Sequence, residues 1–394
     1  MARTLRGLTV DNGGSEVRTL PLGRTVSSGM TRLANDFVTI DGRNYRAKDA
    51  DDKLGLCRVT GAPKDEYLGI IAQGNTGKLY DGKALTIDSQ STKTGNVNYY
   101  KQFIYAVARD AIQAVLDGEI VVGECIKPGG IFKRTTYECN LDPIEYVIVT
   151  CIPIKEHSGR VDCASKLKEN LAGKYVVEFP LLGEDVTKTV QFVIKQENIG
   201  VVPEGAVAMT QMRSVQEDDI TLVVDMGHVS TDLALFKGKT LLGNRVISSQ
   251  FAGSTLIANV RAAMSDEGYF LNEEQTAKVV ETGKVKNGAK TVDVFDIVAE
   301  QKKLFVKNYL ASEVVQLLNM NAMNAKQVTN VVPIGAPMNG VNVKSSIAGE
   351  LVRECGLSAA TVQCLAEDLR YVNIEQASKF TSVLYRQASV KAAM

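Results

Sequence analysis

Histidine is almost absent from this chain: of 394 residues only two, His157 and His228, carry an imidazole. A His-dependent hydrolase or a His-ligated metal site therefore has almost no material. The seven cysteines, Cys57, Cys125, Cys139, Cys151, Cys163, Cys355 and Cys364, include no C-x-x-C pair. Neither a zinc motif nor a disulfide framework fits, and with Cys151 inside the apolar run Tyr146 to Ile152 buried, reduced thiols are expected. Charge of one sign is lacking too: 45 basic residues balance 45 acidic ones. Without a run of Lys and Arg to neutralise phosphates along DNA, direct nucleic-acid binding is disfavoured. No segment approaches the roughly twenty apolar residues that span a bilayer, and no apolar signal-peptide core opens the sequence. The expectation is a cytoplasmic protein that does not enter membranes.

A chain of 394 residues exceeds what one hydrophobic core usually supports, so two domains or two lobes are expected. Its most informative stretch is Asp225-Met-Gly-His-Val-Ser-Thr-Asp232, between the apolar segments Ile220 to Val224 and Leu233 to Phe236. An acidic residue closing a buried strand can orient the water shell of Mg²⁺, and a small turn ending in Ser lets backbone N–H groups approach a phosphate. A companion lies near the N-terminus: Leu8 to Val10, then Asp11, Asn12, Gly13, Gly14 and Ser15, then Val17 to Leu20.

The first segment reads as a strand meander, Leu5 to Val10, Val17 to Leu22 and Thr25 to Leu33, followed by a hairpin of Phe37 to Ile40 and Arg43 to Ala47 around Asp41-Gly42. Gly55 to Thr94 suggests a surface lobe of short elements. The three-and-four spacing of Phe103, Ile104, Val107, Ala108, Ala111, Ile112 and Val115 predicts a helix over Tyr99 to Leu116. Tyr146 to Ile152, closed by Pro153, predicts a buried central strand. A helix over Cys163 to Leu171 and strands over Tyr175 to Phe179 and Thr189 to Lys195 come next, then a short helix ending near Met212. The second half repeats this logic: strands at Ile220 to Asp225, Leu233 to Lys237 and Thr240 to Ile247, then helices at Ser254 to Met264, Asn272 to Glu281 and Val294 to Leu318. Val328 to Ile334 is a strand, Val341 to Cys355 a helix, and Ile374 to Val390 a closing amphipathic helix. Meanders alternating with helices imply an α/β architecture built twice, with a ligand in the cleft between the copies.

The paired Asp-x-Gly hairpins, the apolar strand closed by Pro153 and the late strand closed by Gly335 resemble the actin-like ATPase superfamily over nearly the whole chain. Within it, the length, the stretch Val38-Thr-Ile-Asp-Gly-Arg43 and the run Val202-Pro-Glu-Gly-Ala206 resemble plasmid-segregating bacterial actins of the ParM type. The resemblance implies an α/β, ribonuclease H-like duplicated fold of two lobes, each with a mixed sheet flanked by helices. Lobe I would comprise residues 1–200 and 371–394 with an inserted subdomain at about 36–96, and lobe II residues 201–370 with an insertion at about 265–300. The implied activity is ATP- or GTP-driven filament formation with hydrolysis, moving plasmid DNA through a ParR-like DNA-binding adaptor on a plasmid centromere. Alternatives are another cytoskeletal or organelle-positioning actin, bacterial or archaeal, and a monomeric actin-fold phosphotransferase.

The same resemblance assigns roles. Asp11, Asn12, Gly13, Gly14 and Ser15 would wrap phosphate, with Arg18 either reaching phosphate or lying solvated at a strand edge. Gly227, His228, Val229 and Ser230 form the second phosphate turn, in which His228 and Val229 replace the usual small Gly and Thr. His228 either occupies a position where Gly supplies positive φ or contacts phosphate as an imidazolium. Asp11 and Asp225 would hold Mg²⁺ through water. Glu204 stands where a hydrolytic glutamate aligns the attacking water, or is simply a helix N-terminal carboxylate. Gly335, Ala336, Pro337 and Met338 would approach the base, Gly253 and Ser254 would offer backbone donors at a helix start, and Lys302 and Lys303 would flank the base or form a solvated pair.

Overall fold

The computed structural model describes residues 4–13, 16–34, 37–40, 56–60, 69–73, 83–85, 92–129, 133–140, 142–157, 162–180, 187–210, 212, 215–243, 246–339, 346–358, 360–366 and 368–393. The chain divides into two compact units. Unit 1 is Met1–Ile152, Val161–Val202 and Ala377–Met394, and unit 2 is Pro153–Arg160 and Pro203–Gln376.

Unit 1 is built on a mixed sheet. Its described strands are β1 (Leu5–Asn12), β2 (Glu16–Pro21), β3 (Thr31–Ala34), β4 (Phe37–Ile40), β5 (Leu56–Thr60), β6 (Gly69–Gln73), β7 (Lys83–Ala84), β8 (Val122–Gly129), β9 (Lys133–Asn140), β10 (Ile144–Ile152), β11 (Gly173–Pro180) and β12 (Thr187–Pro203). They run in the order β3-β2-β1-β10-β12-β11-β5-β6-β4-β7, with the β8–β9 hairpin joined through β9 to β12. β10 shows why sequence and placement agree. Every residue but Glu145 is buried, because both faces are covered. Tyr146, Ile148 and Ile152 meet helix Val97–Leu116 in the main core, while Val149 and Cys151 meet Ala377 and Leu384 of the closing helix Val372–Ala393. Each such aliphatic side chain contributes about 1.5–3 kcal/mol by leaving water.

Unit 2 repeats the topology with β13 (Ile220–Met226), β14 (Thr231–Lys237), β15 (Thr240–Leu241), β16 (Ile247–Ser249), a separate hairpin β17 (Lys284–Asn287) and β18 (Lys290–Asp293), then β19 (Val328–Ile334) and β20 (Thr361–Val362). The order is β15-β14-β13-β19-β20, with β16 also on β14. In both units the first strand pairs antiparallel with the second and parallel with a later buried one, β1 with β10 and β13 with β19.

Several expectations need correction. Thr25 to Leu33 is not one strand: Thr25 and Ser28 form a capping box that starts a single helical turn, Val26–Gly29, before β3. Thr240 to Ile247 splits into β15 and β16, because the chain turns at Gly243 (φ +59°). The long helix from Val294 to Leu318 is Phe295–Phe305 and Ala311–Met320 joined by a π-helical stretch, Val306–Leu310. The β8–β9 hairpin was not foreseen, and Cys139 on β9 is disulfide-bonded, not the reduced thiol expected. Cys57, Cys151, Cys163, Cys355 and Cys364 are not in disulfides. The hairpin around Asp41-Gly42, Gly14 with Ser15, and the first residues of the helix expected from Val341 lie outside the described residues; that helix is described as Ile347–Glu354.

Candidate functional site

The two Asp-x-Gly turns are copies in register as well as in sequence. In the first, Asp11 lies opposite Arg18, and Gly13 N–H donates to Glu16 O at 3.0 Å. In the second, Asp225 lies opposite Asp232, and Gly227 N–H donates to Ser230 O at 2.9 Å. A Cβ at either glycine would stand 3.2 Å from the oxygen that its own N–H engages, so a side chain there would press on the bond that closes the turn. Each Asp ends a buried strand, the placement that suits a carboxylate facing a hydrated cation. The register sets Ser230 against Glu16.

Around the first turn the charges form a chain. Arg18 Nη1 donates to Asp11 Oδ2 at 2.9 Å, its Nε donates to Glu16 Oε1 at 2.6 Å, and Arg32 Nε donates to Glu16 Oε2 at 2.8 Å. Burial would raise the Glu16 carboxyl, but Arg18 and Arg32 outweigh it and hold it below its ordinary value. Arg18 is thus no solvated strand-edge residue. Asn12 is fully buried, donates to Tyr99 O at 3.2 Å, and leaves Oδ1 without a partner beside the turn.

In the second turn His228 needs no left-handed backbone: among the described non-glycine residues only Ala322 has positive φ. The expected conformational reason for a Gly there is therefore removed. Its Nε2 lies 3.4 Å from Glu273 Oε1 at the start of helix Glu273–Thr282. Gly253 N–H donates to Gly227 O at 3.0 Å and Ser254 N–H to His228 O at 2.8 Å. These donors, expected to serve a nucleotide, are committed to the turn and hold it against helix Gly253–Asp266.

Asp225 is held from another direction. Asn373 Nδ2 donates to Asp225 Oδ2 at 2.8 Å, and Asn373 Oδ1 accepts from Gly205 N–H at 3.0 Å. Asn373 therefore ties Asp225 to the segment that carries Glu204, directly after β12.

The loop after β19 approaches the same turn. Gly335 has φ +101°, and a Cβ there would stand 2.1 Å from Met226 O, so only glycine fits. Ala336–Met338 is a single 3₁₀ turn with Met338 buried, and Pro337 lies against Gly253. Beneath it Lys302 is buried, not solvated, and its Nζ donates to Asn339 O at 3.2 Å. Burial pushes its ammonium down to about 8, partly opposed by Glu281. Asn339 also donates to Asp368 at 2.8 Å, and Arg370 pairs with Glu281 at 2.9 Å. Lys303, by contrast, lies half-exposed near Glu300.

No protein-family model and no curated protein sequence matches this chain. Solved structures do. The actin-like protein Alp7A superposes over 100% of both chains at 17% identity and TM-score 0.63. Bacillus thuringiensis ParM with AMPPNP covers 97% of this chain and 99% of its own at 13% identity and TM-score 0.60. Ta0583, an archaeal actin homolog, covers 96% and 99% at 14% identity and TM-score 0.61. The fold is actin-like.

In this actin-like chain, sequence reasoning missed Asn373, Glu16 and Arg370. Asn373 is separated from Asp225 by 148 positions and sits in a helix whose apolar pattern was its only visible signal. Glu16 was legible in part, as a carboxylate two residues from Arg18. Among the described residues no group of three His, Cys, Asp or Glu side chains converges as a metal cage.

Two consequences are testable here. Asn373→Ala removes one donor from Asp225 and the acceptor of Gly205 N–H, and should cost about 1–3 kcal/mol in denaturant unfolding; an unchanged midpoint would show the bridge to be idle. For Lys302 the folded value, about 8, lies below the ordinary 10.5. The unfolded state then binds more protons between those limits, so this group makes stability rise with pH from about 8 to 10.5. Lys302→Met should be more stable than the parent at pH 7 by about 1–2 kcal/mol, after the lost bond to Asn339 is discounted, and should lose that rise.

Proposed function

We propose that this chain is a nucleotide-dependent, self-assembling actin: it binds ATP or GTP with Mg²⁺ on its two hairpin turns, polymerises, and hydrolyses the nucleotide in the polymer. The observation that carries the reading is the matched pair of turns, each with an Asp at the end of a buried strand and a bare glycine closing the same N–H to carbonyl bond two residues later. The likeness to ParM structures with AMPPNP and with ADP supports a nucleoside phosphate as ligand.

Asp11 and Asp225 would hold Mg²⁺ through water, and the bound ion would offset charge on the phosphate oxygens. Glu204 would accept a proton from the water that attacks the γ-phosphorus, with nucleoside diphosphate as leaving group. The segment Gly335, Ala336, Pro337 and Met338 would face the base, stiffened by its 3₁₀ turn and by Lys302 beneath it. The cargo would be plasmid DNA, reached through a ParR-like adaptor, in keeping with the balanced charge. An actin serving another cargo is the second reading, favoured by the equal likeness to archaeal Ta0583 and to ParM.

Light scattering and electron microscopy of the protein with Mg-ATP, Mg-GTP and a non-hydrolysable analogue test the proposal. Filaments with a triphosphate are expected. No assembly at high protein concentration, together with phosphate transfer to a small acceptor, would favour the phosphotransferase alternative.

A further inference from the structure

Helices Gly253–Asp266 and Glu273–Thr282 are joined by a short loop whose middle residue, Phe270, is 85% exposed. That loop is fixed at both ends. Tyr269 N–H donates to Met264 O at 2.8 Å, and Asn272 with Gln275 forms the capping box that starts the next helix. Tyr269 and Leu271, on either side of Phe270, pack against the unit 2 core. The ring is therefore held outward by anchored neighbours, a preorganised apolar knob and not a frayed end. Its rim is acidic: Asp266, Glu267, Glu273 and Glu274 are all exposed. Glu273 and Glu274 have His228 and Lys278 at 3.4 Å, while Asp266 and Glu267 have no ion partner among the described residues.

The closing helix carries the complementary surface. Ala377, Thr381 and Ala388 face inward. At about 100° per residue, Val383 and Val390 then fall on the opposite side with Phe380 about 60–80° round from them on the adjoining flank, and Phe380, Val383 and Val390 are 39%, 54% and 56% exposed. Lys379, Arg386 and Lys391 flank this stripe, and residues 377–391 contain no Asp or Glu.

We infer that Phe270 with its acidic rim docks on the stripe Phe380, Val383 and Val390 of a second copy of this chain. An exposed aromatic anchor and an apolar strip supply the buried centre of such a contact, and opposite charges around each set orientation. Because the two patches differ, the contact is heterologous: each copy that uses one patch leaves the other free, and addition continues. The inference rests on the self-assembly reading above and names the surfaces that would carry it.

Phe270→Asp and Val383→Asp test it, both at exposed positions where the fold should tolerate change. Each variant should keep the parent's nucleotide affinity and melting temperature, yet need at least tenfold more protein to sediment with Mg-nucleotide. Mixed one to one they retain one good knob and one good stripe between them, so sedimentation velocity should show a discrete heterodimer and nothing longer. If the parent itself never assembles, the self-assembly reading and this inference fall together. If the parent assembles and the variants assemble equally well, only this inference falls. Variants that fail alone and form no heterodimer when mixed would also overturn it, since the patches would not be each other's partners. Binding of the parent to anionic vesicles, lost in Val383→Asp while assembly persists, would assign the stripe to a membrane surface and overturn it as well.

Discussion

Glu204→Ala should slow phosphate release about 10²- to 10³-fold while leaving nucleotide affinity within a few-fold of the parent and assembly intact. Glu204 follows Pro203, the last residue of β12, and precedes Gly205, whose N–H is held by Asn373, the same side chain that donates to Asp225. The glutamate is therefore placed by a rigid strand end on one side and by the bridge to Asp225 on the other. A carboxylate so fixed can take a proton from water without reorganising first. The competing role, a carboxylate favoured at the start of helix Ala206–Met209, is worth about 0.3–1 kcal/mol of stability and nothing in turnover. Single-turnover phosphate release measured beside thermal melting separates the two. Normal turnover with a slightly lower melting temperature would leave Glu204 a structural residue.

Gly335→Ala should be the most damaging single-methyl change in unit 2, costing about 3–5 kcal/mol and abolishing nucleotide binding. Two penalties add. An L side chain at φ +101° is strained, and the added carbon would stand 2.1 Å from Met226 O, a backbone atom that cannot rotate away. Relief would require β19 to part from β13, whose registers run to Ile334 opposite Asp225. The damage then reaches the phosphate turn directly, since Gly227 follows Met226. Thermal unfolding and nucleotide titration of the variant check this. Ala336→Gly, one residue on and free of that contact, serves as the control and should shift stability by no more than about 1 kcal/mol. Equal behaviour of the two would mean that the loop accommodates a side chain by moving alone.

The sequence was legible wherever the relevant signal lies within a few residues. The alternating and continuous apolar runs located β1, β10, β13, β14 and β19 to within two residues, and three-and-four spacing located helix Val97–Leu116. Short segments went wrong where capping or pairing overrode pattern, as at the turn Val26–Gly29 and at the split between β15 and β16. Lys302 was misjudged for a related reason. A lysine pair on a helix looks solvated until a neighbouring loop is laid over one member, and that loop comes 37 residues later.

By itself, then, the sequence determined the strands that flank the two Asp-x-Gly turns, the duplication and the turns themselves, because side-chain period and turn chemistry act between adjacent residues. Only the tertiary structure decided who partners whom. It tied Arg18 to Asp11 and Glu16, and it brought Asn373 to Asp225 across 148 positions. It also spent the first N–H groups of helix Gly253–Asp266 on the turn they were expected to leave free. Such partnerships arise when β-strands and helices distant in the chain pack together, and a buried polar group takes the donor or acceptor that packing brings to it.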